Sequence, residues 1–188
     1  TIVSRNDELF LADNMVSLLD FEFVCHEKII DEINNSTNND LKNWIKKQIS
    51  CKKINVYDDE IIINALDSIG ISGKVMFINL MIESLRAFCD NTIINRYAQL
   101  HDFILETNSI FCSEICKIES DIANDRDIGE KKTILLLQVL RYLGNDEIII
   151  FCSDDKRARN VFLTFDGIAY NASCLTVLSF FYIFRKRI

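Results

Sequence analysis

The sequence predicts a three-layer α/β/α fold, with helices covering both faces of a central parallel sheet. Two observations carry that prediction. Short apolar runs of strand length alternate with longer stretches whose apolar residues recur at three- and four-residue spacing, the pattern of strands joined by crossover helices. The run EIIIFC at 147–152 is apolar at nearly every position and rich in β-branched side chains, as a parallel strand covered on both faces requires. With 188 residues, 49% of them hydrophobic and 26% charged, one compact domain with a well-buried core is expected.

ELFLA at 8–12 reads as a buried strand ending at Asp13, and 14–19 as a turn into a short helix. FEFVC at 21–25 is a second strand, and EKIIDEI at 27–33 a helix with Ile29, Ile30 and Ile33 on one side. NNSTNN at 34–39 is a break. Residues 40–49 form an amphipathic helix with Asp40 near its cap, and INVY at 54–57 a third strand. Residues 58–121 change character, reading as two or three helices with Gly70 and Gly73 in a turn between them. They interrupt the alternation, so a single domain over 1–188 with a mostly helical insertion at 58–121 is expected. The alternation resumes with a helix at 129–143, a turn at 144–146, the strand 147–152 and a helix at 156–165. A last strand at 167–170 and a closing helix at 173–187 follow. The chain has no proline, so Gly, Asn and Asp carry the turns.

The formal net charge is −7, whereas nucleic-acid binders tend to be basic. Carboxylates that hold cations, together with local basic patches, reconcile an acidic chain with a polyanionic substrate. The seven cysteines are an odd number, scattered without a C-x-x-C pair, which predicts reduced thiols rather than a disulfide framework. Cys112 and Cys116 share a helix face but lack two further zinc ligands, so they read as buried apolar thiols. No signal-peptide pattern opens the sequence. The most apolar stretch, 174–184, is shorter than the roughly 20 residues a spanning helix takes. A cytoplasmic protein without a membrane partner is therefore expected.

Several motifs are excluded by spacing. Gly70-x-x-Gly73-Lys74 is not a phosphate-binding loop, and two histidines leave no evident Ser-His-Asp or Cys-His arrangement. Asp13-Asn14-Met15 lacks the D-x-D of a phosphatase with an aspartyl nucleophile. Asp58-Asp59-Glu60 reads as a solvated helix start, and Arg185-Lys186-Arg187 as a complement to a helix C-terminus.

Ligand sites in open α/β sheets lie outside the carboxyl ends of the strands. Asp13 and the pair Asp154/Asp155 sit at such ends. Glu130 begins the helix leading into the strand before Asp154, and Glu32 lies on the helix after the second strand. Clustered carboxylates repel one another unless a cation sits between them. Hard oxygen ligands suit Mg²⁺ or Mn²⁺, and two such ions can activate water and stabilise the leaving oxygen of a phosphodiester. Each acid also has an ordinary reading, as a helix cap for Asp13, a solvated side chain for Glu32, and dipole-complementing acids for Glu130, Asp154 and Asp155. Lys156, Arg157 and Arg159 lie close in sequence to the acids and are the candidates for substrate phosphates.

The segment GEKKTILLLQVLRYLGNDEIIIFCSDDKRARNVF resembles the PIN-domain family, which includes the toxin nucleases of bacterial toxin–antitoxin pairs. The likeness lies in Gly129-Glu130 opening an apolar helix, then an apolar strand, then Ser153-Asp154-Asp155-Lys156-Arg157-Ala158-Arg159. Residues 167–187 are similar to the family's closing strand and helix. The N-terminal part matches less closely. Asp13-Asn14 lacks the spacer of the family's Asp-x-Asn turn, whereas Ile29-Ile30-Asp31-Glu32-Ile33 is similar to its V-x-x-E-I helix. The likeness covers about residues 8–57 and 122–188, and the helical insertion departs from it. The resemblance implies a three-layer PIN-like fold and a metal-dependent endoribonuclease acting on single-stranded or structured RNA, without a covalent intermediate. It implies Asp13, Glu32, Glu130 and Asp155 as catalytic acids. Asp13, Glu130, Asp154 and Asp155 would be ligands for Mg²⁺ or Mn²⁺, and Ser153, Lys156, Arg157 and Arg159 would bind substrate. RNA is favoured over DNA, and a toxin or defence role with a protein inhibitor or antitoxin, and a homodimer, are implied as well. The competing reading is a catalytically inactive PIN-like scaffold that binds a protein partner through its helical insertion.

Overall fold

The computed structural model describes residues 22–122, 128–144, 149–153, 156–164 and 172–175. The expected first strand with Asp13, the Asp154/Asp155 pair, the expected strand at 167–170 and most of the expected closing helix lie outside them. The described residues form a mixed α/β structure dominated by helices. Strand β1 (Phe23–His26) leads into α1 (Glu27–Asn35), α2 (Asn39–Ser50) and β2 (Ile54–Tyr57). Four helices follow: α3 (Asp59–Ser68), α4 (Gly73–Ala87), α5 (Asn91–Ala98) and α6 (Asn108–Asp121), with a 3₁₀ turn at Gln99–Phe103 after α5. Then come α7 (Ile128–Tyr142), β3 (Ile149–Cys152), α8 (Lys156–Thr164) and β4 (Ala172–Leu175).

Among the described residues, the parallel strands expected from the alternation are present as two separate pairs. β1 lies parallel to β2, with Phe23 opposite Ile54 and His26 opposite Tyr57. β3 lies parallel to β4, with Ile149 opposite Ala172 and Cys152 opposite Leu175. Helices bridge each pair, as a parallel connection requires. β4 corrects one expectation: Ala172–Leu175 is a strand, where a closing helix was expected from residue 173. A short apolar run suits either state by periodicity, and pairing with β3 decides it.

The helix starts follow capping chemistry. Asn38 Oδ1 accepts from Leu41 N at 3.0 Å, and Asp58 Oδ1 from Ile61 N at 2.7 Å, each satisfying a first-turn amide. Asn38 is the cap of α2, and Asp40 lies near it in the first turn, as expected. Gly73 begins α4 instead of sitting in the turn before it, and its amide donates to Asp67 Oδ1 at 2.7 Å. α3 and α4 meet at 120°, so close that a Cβ on Gly73 would lie 2.2 Å from the Ile63 carbonyl oxygen. The turn itself is made by Gly70, at φ +79°.

The main core is built by the helices of 59–121 together with α7. Ile62, Ile63 and Leu66 of α3, Phe77, Ile78, Met81 and Leu85 of α4, Tyr97, Phe111 and Ile115 all pack with Leu135, Leu136 and Val139 of α7. α4 is the centre of this group, apolar on most sides as a buried helix must be. Phe77 and Phe111 meet edge-on with centroids 6.1 Å apart. A second cluster joins Phe88, Ile134 and Leu137 to Phe151 of β3 and to Ala158, Val161 and Phe162 of α8. α7 belongs to both clusters and therefore fixes the helical segment relative to β3. Among the described residues, no single helix is long and apolar enough to cross a membrane.

Candidate functional site

One of the expected acids, Glu32, reaches the N-terminal end of α7, where another, Glu130, stands in the first turn. Glu32, on α1, accepts a hydrogen bond from the Gly129 amide through Oε1 at 3.2 Å, joining residues 97 apart in sequence. Glu130 is the next residue, half-buried in the first turn of α7. Only glycine permits this approach, since a Cβ at 129 would lie 2.5 Å from Glu32 Oε1 and 2.7 Å from Ile29 Cδ1. Glu32 stays solvent-exposed, and the partial positive charge of the helix end favours both carboxylates. Asp13, Asp154 and Asp155 lie outside the described residues. Among the described residues, no group of three or more His, Cys, Asp or Glu side chains is arranged to hold an ion.

Ser153 closes β3 and is buried, and its carbonyl accepts from Arg159 Nη1 at 2.8 Å. Arg157 Nη2 donates to the Phe88 carbonyl at 3.0 Å, with its guanidinium 5.7 Å from the Phe88 ring centroid. Arg157 and Arg159 thus anchor α8 to its surroundings. Lys156 is exposed at the start of that helix.

Among the described residues, the densest polar cluster lies deeper along α7, around Lys132, which no motif singled out. Lys132 is fully buried, and its Nζ reaches Asp59 Oδ1 at 2.7 Å, Asp59 Oδ2 at 2.8 Å and Glu119 Oε1 at 2.8 Å. Glu119 Oε1 also accepts from Tyr97 Oη at 2.9 Å, and Glu119 Oε2 lies 2.9 Å from Lys28 Nζ. His26 completes the ring. Its Nδ1 accepts from the Lys28 amide at 3.2 Å, which leaves the proton on Nε2, 3.1 Å from Asp59 Oδ1. The Phe77 and Tyr97 rings flank the ammonium, with centroids 4.9 and 5.9 Å away. Asp59 is therefore a buried hub, which corrects the expectation of a solvated helix start; Asp58 alone is the cap.

Two ammoniums face two carboxylates, so their formal charges cancel. Burial by itself would raise the Asp59 carboxyl, but the Lys132 ammonium and the His26 donor hold it well below the usual carboxylate range. Glu119 is likewise lowered: burial raises it, and Lys132 and Lys28 pull it down further. Burial would lower the Lys132 ammonium, and the two carboxylates instead hold it well above its ordinary value. Burial pushes the Cys112 thiol up to about 12, with Asp59 and Glu60 adding to the effect. Cys112 is half-buried and Cys116 exposed, whereas both were expected to be buried.

A signal for this ring was present in the sequence. Asp59 stands three, four and seven residues before Ile62, Ile63 and Leu66, on the apolar face of α3. Lys132 stands in the same relation to Leu135, Leu136 and Val139, and Glu119 lies four and eight residues after Ile115 and Phe111. A charge on an apolar stripe requires a buried partner. Compared with models of known protein families, with curated proteins and with solved structures, the chain matches none.

Proposed function

We propose that the chain is a metal-dependent endoribonuclease of three-layer, PIN-like architecture, acting on single-stranded or structured RNA. The observation that carries this reading is the contact between Glu32 and Gly129. It holds Glu32 against the helix start whose next residue is Glu130, and both are acids that the family resemblance names. A solvent-exposed carboxylate held by a backbone amide is a hard oxygen donor of the kind Mg²⁺ and Mn²⁺ take. The proposed ligand set is completed by Asp13 and Asp155, with Asp154 assisting. A bound Mg²⁺ or Mn²⁺ would supply activation of water and neutralisation of charge at the scissile phosphate. The chain's part is to fix Glu32 through the Gly129 amide, to hold Ser153 at the end of β3 through Arg159, and to offer Lys156 to substrate phosphates. The proposal extends to a toxin or defence role in the cytoplasm, with a protein inhibitor or antitoxin and a homodimer.

Cleavage of labelled single-stranded RNA and DNA with Mn²⁺, Mg²⁺ or EDTA tests the reading, alongside Glu130→Gln and Asp155→Asn. RNA cleavage that needs metal and both acids supports it. Cleavage that survives EDTA or both substitutions sinks it. The second reading, an inactive scaffold that binds a protein through its helical segment, is favoured by Leu105, which is 95% exposed in the turn before α6. It predicts no cleavage under any condition and a partner lost on Leu105→Ser.

A further inference from the structure

The buried ring joins the two helices that carry the candidate acids. Lys132 lies two residues after Glu130 on α7, and Lys28 one helical turn before Glu32 on α1. Two routes connect them. One runs from Lys132 through Glu119 to Lys28, at 2.8 and 2.9 Å. The other runs from Lys132 through Asp59 to His26, at 2.7 and 3.1 Å, and the His26 ring caps α1 by accepting the Lys28 amide. Asp59 stands at the start of the segment 59–121 and Glu119 near its end, so both ends of the helical segment are held by one ammonium.

We infer that Lys132, Asp59, Glu119, Lys28 and His26 form a positioning device that sets the spacing of α1 and α7 at Glu32 and Gly129, and that the helical segment acts on the acidic site through it. The link to catalysis rests on the reading of Glu32 and Glu130 as metal ligands. Apolar side chains can slide over one another at small cost, because hydrophobic attraction has no direction. A buried ammonium bonded to three carboxylate oxygens has one satisfactory position, since leaving it exposes unpaired charge in a dry interior. The flanking Phe77 and Tyr97 rings close off the remaining approach to Lys132. The ring therefore specifies a distance that the surrounding core would leave loose. Lys131 is its internal control. It is also buried on α7, but it pairs with Asp90 at 2.7 Å, outside the ring.

The test separates positioning from folding. The variant Asp59→Asn/Glu119→Gln/Lys132→Met keeps the side-chain volumes and removes every fully buried charge of the ring, leaving only the partly exposed Lys28 without its carboxylate. Hydrogen exchange of the Gly129 amide reads the α1–α7 contact directly, and Mn²⁺ titration reads the acids. In the triple variant, Gly129 exchange is expected to rise by about tenfold and Mn²⁺ affinity to fall by about tenfold or more. Lys131→Met leaves Gly129 exchange unchanged. A folded triple variant with wild-type Gly129 protection overturns the inference. Should the triple variant fail to fold, Asp59→Asn/Lys132→Met cuts both routes at Lys132 and leaves Glu119 paired with Lys28, and unchanged Gly129 exchange there overturns the inference equally. A wild-type chain that binds no Mn²⁺ defeats the metal reading, while the amide exchange still decides the role of the ring.

Discussion

α7 carries two polar centres of opposite character. Around Lys132, two carboxylates, a phenol and an imidazole are packed away from water and pair with one another and with the two ammoniums. At Gly129, less than one turn away along the same helix, an exposed carboxylate accepts from a backbone amide. The dry centre is expensive to disturb and cheap only when complete, because each member left alone would be a buried charge. The open centre costs little to assemble or remove, since water solvates what the protein does not. Tight pairing here marks what holds the molecule in shape.

The sharpest way to break this contrast is to remove one charge from each centre. Lys132→Met takes the ammonium from Asp59 and one of two from Glu119, and is expected to cost about 3–5 kcal/mol in urea denaturation. Glu32→Gln, which keeps an acceptor for Gly129, should change stability by about 0.5 kcal/mol or less. Equal losses would erase the distinction. Glycine substitutions come next. Gly73→Ala sets a Cβ against the backbone oxygen of Ile63 and should cost about 3 kcal/mol. Gly129→Ala meets the movable end of Glu32 and should cost nearer about 1 kcal/mol while displacing that side chain. A costlier change at 129 would mean that Glu32 is less free than its exposure implies.

The pH dependence sharpens the same comparison. Asp59 and Glu119 titrate below their ordinary values of 3.8 and 4.5, so their contribution is complete above those values and is lost as pH falls through the lowered ones. Lys28 and Lys132 are raised above 10.5, so their contribution is complete below 10.5 and is lost as pH climbs through the raised values. The melting temperature should therefore hold level between these limits and fall beyond each, and the triple variant should flatten both edges. A wild-type profile no steeper than that of the triple variant would show the ring contributing nothing. The smallest expected effect lies at the end of α4, where Cys89 adopts φ +60° to close the helix, with its amide on the Arg86 carbonyl at 2.9 Å. Cys89→Gly should stabilise by about 0.5–1 kcal/mol, the left-handed strain relieved less the extra freedom of glycine when unfolded. A loss of stability would show that the Cys89 side chain contributes a contact.

Periodicity made much of the fold legible. INVY at 54–57 and the helices over 27–35 and 128–142 lie close to where their patterns place them. It failed at Ala172–Leu175, where a run too short for either period takes its state from β3, a neighbour that local sequence does not reveal. The candidate site was legible as motif, in Glu32, Gly129 and Glu130, because glycine beside an acid at a helix start has a local reason. The ring was not, because Asp59 and Lys132 find each other across 73 residues and each alone resembles a solvated charge. Their places on apolar stripes were visible, but the identity of the partner is a property of the folded chain.

Asp59 and Glu119 have one further consequence. Since both end on the same ammonium, the chain enters and leaves the helical segment at one spot, like a bud on the stem of α7. Lengthening or trimming such a bud at its far turns, for instance near Leu105, leaves the stem's attachment points where they were. The entropic penalty grows only with the logarithm of the added length. The segment is thus a place where this fold can acquire or lose residues by gradual change while the rest of the chain keeps its register.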